Sequence, residues 1–390
     1  MIARSRRSLR IGIAGLGAAG RAFLPAIGAH PGVSLAAFAD PVAKIRDSAA
    51  AELGVAGYAS MAELLAHPGL DAVHIATPTE LHPEHVAQAC AAGKHVLVEK
   101  PMAVELAQAS AMIEAAEQAG VQLLVGHSHS YDLPVKRMHA LIASGILGRV
   151  RMVNTWCYTD WMYRPRRPEE LDTSLGGGVT FRQGSHQFDI LRLLCGGMVT
   201  NVRARTFDWD PERAGIGAHA VYLDFEDGAA ATAIYNGYGN FSSIDLCFDI
   251  GEWGFPQPAA GCVKLPRGGV TPEQELRAKQ ARAKTAIPAG APHQPFFGLT
   301  VVSCERGDIR QSPQGLFVYT RDGCTEIALP TEISPRDLVI AEFYDAVTGA
   351  APARHNGRWG LANLEICAAA IASSAGAKDV QLRHQVALPA

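Results

Sequence analysis

The chain has little charge and few aromatic residues, 19% and 7% respectively, and neither sign of charge dominates. Lys and Arg number 35 against 38 Asp and Glu, a net charge of -3. A nucleic-acid binder ordinarily shows a basic excess or stripe, so nucleic acid is not expected as a partner. No uncharged apolar run approaches the ~18 to 20 residues of a membrane span, so no membrane partner is expected either. Eight Cys are present, without a CxxC or a close Cys/His cluster. No metal site or disulfide framework is therefore expected. The thiols read as reduced and mostly buried, as in a cytoplasmic protein. The 39 Gly and 23 Pro lack a collagen-like period.

What is there is an apolar fraction of 48% over 390 residues. That excludes a largely disordered chain and is too long for one ordinary core. The start reads MIARSRRSLR, and Arg6-Arg7 ahead of apolar residues has the form of a twin-arginine export signal. The apolar stretch that follows contains Gly12, Gly15 and Gly17. It reads as the first strand and turn of a domain that cleavage would destroy, so the arginines are expected to form a solvated tail.

Up to residue 127, short apolar runs at 9–14, 35–39, 72–76, 95–98 and 121–125 alternate with helical patterns such as 61–66, 84–92 and 104–119. Ser60 and Glu63 form a capping box at one helix start. Strands alternating with helices imply a doubly wound parallel sheet, a Rossmann domain over 1–127. Beyond it, 150–158, 199–207, 219–225, 229–235 and 315–320 read as consecutive strands, with Asp227-Gly228 as a hairpin turn. This predicts a second α+β domain over 128–390 with a large, mostly antiparallel open sheet. It would serve substrate binding and oligomerisation. Within it, 251–297 is an insertion or lid with a charged helical stretch at 272–284, and helices at 335–347 and 361–374 close the chain.

Gly15-Leu16-Gly17-Ala18-Ala19-Gly20 is GxGxxG after a strand and before a helix, and Asp40 ends the next strand. Gly15 permits the tight turn, Gly17 the approach of a pyrophosphate, and Gly20 close helix packing. Ala18 and Ala19 carry the first-turn amides that face the phosphates. The Asp40 carboxylate suits the ribose hydroxyls of NAD and repels the 2'-phosphate of NADP. Glu99-Lys100-Pro101 and Thr77-Pro78 with His82 stand at two other strand ends, where ligands of open parallel sheets bind.

Together these segments resemble the Gfo/Idh/MocA family of nicotinamide-dependent oxidoreductases over nearly the whole chain. The likeness is carried by GxGxxG, Ala76-Thr77-Pro78 with His82, Glu99-Lys100-Pro101, Gly176-Gly177-Gly178 followed by His186 and Asp189, and Glu342-Phe343-Tyr344-Asp345-Ala346. The resemblance implies that Lys100 and His186 are catalytic and that Thr77, Pro78, His82, Glu99 and Lys100 line the cofactor. Hydride leaves a carbinol carbon only as its hydroxyl proton is also removed. A lysine partly desolvated beside a cationic ring has a lowered pKa, and histidine titrates in the right range.

One departure bears on substrate. Most relatives carry an Asp four residues after the triple glycine; here that position is Arg182. Arginine cannot act as a base, but its guanidinium grips a carboxylate. Upstream, Trp156, Tyr158, Trp161 and Tyr163 precede Arg164, Arg166 and Arg167. Aromatic faces with arginines suit a planar anionic ring, although core aromatics before a solvated basic loop would read alike. The stretch from Trp156 to Asp189 resembles the family branch that oxidises carboxylated cis-dihydrodiols of aromatic rings, of the phthalate 4,5-dihydrodiol kind. The substrate-binding candidates are Arg182, His129, Tyr158, Trp161 and Arg164. A sugar or inositol dehydrogenase and a non-catalytic NAD-binding sensor are the alternatives. A homo-oligomer, dimer or tetramer, is expected to cover the open sheet.

Overall fold

Apolar runs of three to seven residues form six parallel strands: β1 (Leu9–Ala14), β2 (Val33–Ala39), β3 (Ala56–Tyr58), β4 (Ala72–Ile75), β5 (His95–Val98) and β6 (Leu123–Val125). The computed structural model describes residues 8–257, 271–283 and 290–388. The Arg6-Arg7 tail and parts of the expected insertion lie outside them. The strand order is β3-β2-β1-β4-β5-β6, so the winding reverses between β1 and β4. That is the switch point where open α/β sheets hold ligands. β4 is buried at every position, as a central strand covered on both faces must be. Ser60 caps the helix Met61–Leu65 by accepting the Glu63 N–H, and the Glu63 carboxylate accepts the Ala59 N–H.

Contacts divide the chain into two units. The first holds 8–126, 280–283 and 336–361; the second holds 127–257, 271–279, 290–335 and 362–388. The expected division gave everything after 127 to the second domain, whereas 336–361 packs with the first. The reason is long-range packing: a Cβ at Gly32 would lie 2.6 Å from the Tyr344 ring, and the Val125 N–H donates to the His355 carbonyl at 2.9 Å.

The second unit is built on nine strands: β7 (Val150–Tyr158), β8 (Val199–Phe207), β9 (Ala218–Phe225), β10 (Ala230–Asn236), β11 (Leu299–Cys304), β12 (Gly307–Ser312), β13 (Gly315–Thr320), β14 (Gly323–Ala328) and β15 (Val380–Gln381). Their order is β14-β13-β12-β11-β7-β10-β9-β8-β15. All neighbours are antiparallel except β7 and β10. Asp227-Gly228 makes the β9–β10 turn, with Gly228 at φ 84°. One sheet face packs on the wholly buried helix Ser185–Leu194, where Gln187 donates to Thr155 of β7 and to the Ile234 carbonyl of β10. The opposite face exposes Met152 and Tyr222. Cys90, Cys157, Cys195, Cys247 and Cys367 are buried thiols. Among the described residues no helix is long and apolar enough to cross a membrane.

Candidate active site

In the first unit the glycine turn joins β1 to the helix Ala18–Ala22. Gly15 sits at φ 93°, and a Cβ there would lie 2.7 Å from the Ala76 carbonyl oxygen. A Cβ at Gly20 would lie 2.0 Å from the Gly15 oxygen, whereas one at Gly17 would meet nothing within 4 Å. Two glycines are thus required by the protein itself. The open space at Gly17, beside first-turn amides that lack intrahelical acceptors, fits a pyrophosphate.

Asp40 is almost buried. Its Oδ2 accepts the Leu16 N–H and its Oδ1 the Val42 N–H, each at 3.0 Å. The carboxylate therefore holds the turn at the C-terminal end of β2. Two backbone bonds leave about two of its roughly four lone-pair positions for ribose hydroxyls. Replacing Asp40 with Ser is expected to narrow the preference for NAD over NADP. It should also cost about 1 kcal/mol of stability for each lost backbone bond. Titration with both dinucleotides checks this, and wild-type protein that binds NADP at least as tightly as NAD contradicts the placement.

Thr77 and Pro78 follow β4, and the Thr77 hydroxyl lies 3.0 Å from His85 Nδ1. His82 was expected to line the cofactor. It is 1% exposed, with Nδ1 3.1 Å from the Pro101 carbonyl and Nε2 2.9 Å from the Thr77 carbonyl. At the start of the helix His82–Ala91, its ring links the segments that follow β4 and β5. Glu99 and Lys100 follow β5, and the Lys100–Pro101 peptide is cis. Burial raises the Glu99 pKa, but His74 at 3.4 Å, Lys100 and Arg336 outweigh it and hold the carboxyl below its usual range. Neither His74 nor Arg336 was singled out from sequence. His74 sits within an apolar strand, and Arg336 is remote in the chain.

In the second unit His186 lies in the buried helix Ser185–Leu194, and Arg182 on the π-helical turn Thr180–Gly184 that leads into it. The turn is accommodated by glycine: a Cβ at Gly184 would lie 2.9 Å from His219 and 3.0 Å from Phe188. It is pinned by Thr180, whose hydroxyl lies 3.2 Å from His219 Nδ1, while His219 Nε2 lies 3.0 Å from Gln187 Oε1. Burial pushes the His219 pKa down to about 3, so this ring is neutral. Such π turns recur at functional sites. Asp189 accepts from Asn363 at 3.0 Å, and Asn363 in turn lies 3.2 Å from His127.

The structure brings His129 to His186, their rings 4.6 Å apart and edge-on at 81°. His129 is one of the expected substrate-binding residues. It is 2% exposed, with Nδ1 3.0 Å from Asp132 and Nε2 3.3 Å from Glu252. Phe297 stacks on it at 4.3 Å and Trp253 lies at 5.4 Å. Burial lowers its pKa, but the two carboxylates prevail and raise it to about 9. Arg164 is likewise committed, to Asp160 at 2.7 Å and more loosely to Glu252 at 3.9 Å. Trp161 is buried at 1% under the Arg166 guanidinium at 4.0 Å. Tyr158 is two strand positions from Trp156 and one from the inward Cys157, so it points to the face opposite the His186 helix. There it packs on Phe241 at 5.4 Å. Asp132, Glu252, Trp253 and Phe297 were missed from sequence. Only Asp132, three residues from His129, carried a local signal.

In the first unit, a dinucleotide turn at the sheet switch point with a strand-end lysine has the form of a nicotinamide-binding oxidoreductase domain. Residues 9–127 match the oxidoreductase family, NAD-binding Rossmann fold, and 135–248 match the GFO/IDH/MocA C-terminal domain. The chain belongs to the Gfo/Idh/MocA family, and its cofactor is NAD. It is 37% identical over 374 residues, 93% of this chain and 94% of the relative, to 1-carboxy-3-chloro-3,4-dihydroxycyclohexa-1,5-diene dehydrogenase of Comamonas testosteroni. A crystal structure from Bordetella bronchiseptica RB50 has 40% identity and a TM-score of 0.90, covering 96% of this chain and all of that one. An Agrobacterium radiobacter oxidoreductase, solved with NAD+, L-tartaric acid and magnesium, shares the fold at 21% identity and a TM-score of 0.73, with 96% and 98% of the chains covered.

Proposed function

We propose that the protein oxidises a carboxylated cis-dihydrodiol of an aromatic ring to the corresponding dihydroxylated aromatic acid, using NAD. The observation that carries the reading is Arg182. A guanidinium stands on the π turn leading to His186, at the position where most of the family has an acid. A carboxylate on the substrate is its natural partner. The named activity of the Comamonas relative is of the same kind and supports the reading.

When bound, NAD accepts the hydride. The rest falls to this chain. Gly17 and the amides of Ala18 and Ala19 hold the pyrophosphate, Asp40 the ribose, and Thr77, Pro78 and Glu99 the crevice. Lys100 and His186 are assigned to the hydroxyl proton that leaves as the hydride does. The carbinol becomes a carbonyl, and the resulting hydroxy-dienone tautomerises to a catechol. Aromatisation drives the reaction forward. The protein works in the cytoplasm as a homo-oligomer, dimer or tetramer, whose contact covers the exposed sheet face carrying Met152 and Tyr222.

The test is reduction of NAD by the purified protein with carboxylated cis-dihydrodiols, myo-inositol and aldoses, followed by NADH absorbance. Turnover of the dihydrodiols well above the sugars is expected. Turnover of sugars alone assigns the polyol activity instead, and none with any substrate would make the protein a sensor. His186→Asn should lower turnover by roughly one to two orders of magnitude, less than loss of Lys100, because Lys100 still serves the proton.

A further inference from the structure

His129 has an acid on each ring nitrogen. A neutral imidazole has one N–H and can donate to only one of them; the imidazolium donates to both. The ring is also enclosed by Phe297 and Trp253, whose faces favour a cation. Its acids come from different places. Asp132 lies three residues on in the same turn, and Glu252 lies at the start of the 251–297 segment. Phe297, at the end of that segment, touches both His129 and His186, the latter at 5.2 Å. Glu252 and Phe297 therefore meet on one histidine.

We propose that His129 is a positioning residue: an internal imidazolium, held by Asp132 and Glu252, that keeps the adjacent His186 neutral and in place. This rests on the reading of His186 as a proton-handling group. A fixed positive charge beside His186 disfavours a second one on it, so His186 stays able to accept a proton at lower pH. Charged and titratable groups surround the pair among the described residues. Asp132 and Glu252 face His129, with Arg164 and Asp160 beyond Glu252. Cys157 and Tyr235 of the sheet approach Glu252 and Arg164, and burial keeps both protonated. Arg182 and Asp189 lie on the helical run that bears His186, and His127 is joined to Asp189 through Asn363.

The pH profile of kcat/KM for a carboxylated cis-dihydrodiol tests the proposal. In His129→Gln the acid limb should move up by about one pH unit. The loss at pH 6 should then be roughly tenfold larger than at pH 8.5, and His129→Lys should move the limb back. A uniform loss at all pH values, with the limb unmoved, would overturn the proposal and leave His129 as packing alone.

A second measurement needs no turnover and so stands apart from the substrate assignment. Histidine ring NMR of the wild type should show one imidazolium persisting beyond pH 8, absent from His129→Gln and titrating lower in Glu252→Gln. An ordinary titration near pH 6.5 for His129 would overturn the proposal whatever the substrate. The same shift fixes the sign for stability. The folded value is raised from 6.5 to about 9, so the contribution is complete below about pH 6.5 and is lost as pH rises through about 9. The wild-type melting temperature should fall across that window more steeply than that of His129→Gln, and parallel curves contradict the imidazolium.

Discussion

Lys100→Met should leave NAD binding nearly intact and lower turnover by roughly two or more orders of magnitude, the scale for losing a positioned acid–base group. Methionine keeps the length of the stem and removes the amine. Lys100 follows β5 at the edge of the nucleotide crevice, beside a Glu99 held ionised by His74, Lys100 and Arg336. The glycine turn and Asp40 are separate from it, so the dinucleotide keeps its main anchors. Steady-state rates and NAD titration on the same preparation separate the two effects. Equal turnover in the variant removes Lys100 from the chemistry. A parallel loss of NAD affinity makes it a cofactor ligand only.

Arg182→Met should weaken transition-state binding of carboxylated dihydrodiols by roughly 2 to 5 kcal/mol, the range for truncating one partner of a desolvated charge pair. An uncharged diol should lose little. A guanidinium that merely supports the π turn would affect both substrate types equally, through His186. Measured kcat/KM for the two types distinguishes these outcomes, and a uniform loss makes Arg182 structural.

Much of the first unit was legible because its signals are local. GxGxxG, Asp40 and the Ser60–Glu63 cap act within one strand–turn–helix step. The return of 336–361 to that unit was not legible, since it depends on Tyr344 packing against Gly32 across the chain. In the second unit the Asp227-Gly228 hairpin was legible from turn chemistry. β12 and β14 were not, because polar residues alternate through them and no strong apolar run marks them. Tyr158 shows the limit of a period-two pattern: alternation says that neighbours point opposite ways, but sheet packing decides which face meets the His186 helix. Arg164 had its partner Asp160 four residues earlier. Glu252, which completes the His129 cluster, lies more than a hundred residues from it, so the ring read as a ligand for substrate rather than as an internal cation.

The most direct test of the account is the wild-type ratio of kcat/KM for a carboxylated aromatic cis-dihydrodiol and for the same ring without its carboxylate, with NAD as oxidant and the catechol product identified. The account predicts a ratio of roughly 30-fold or more in favour of the acid, corresponding to about 2 kcal/mol or more of carboxylate recognition. A ratio near one, or turnover confined to sugars and inositols, contradicts it.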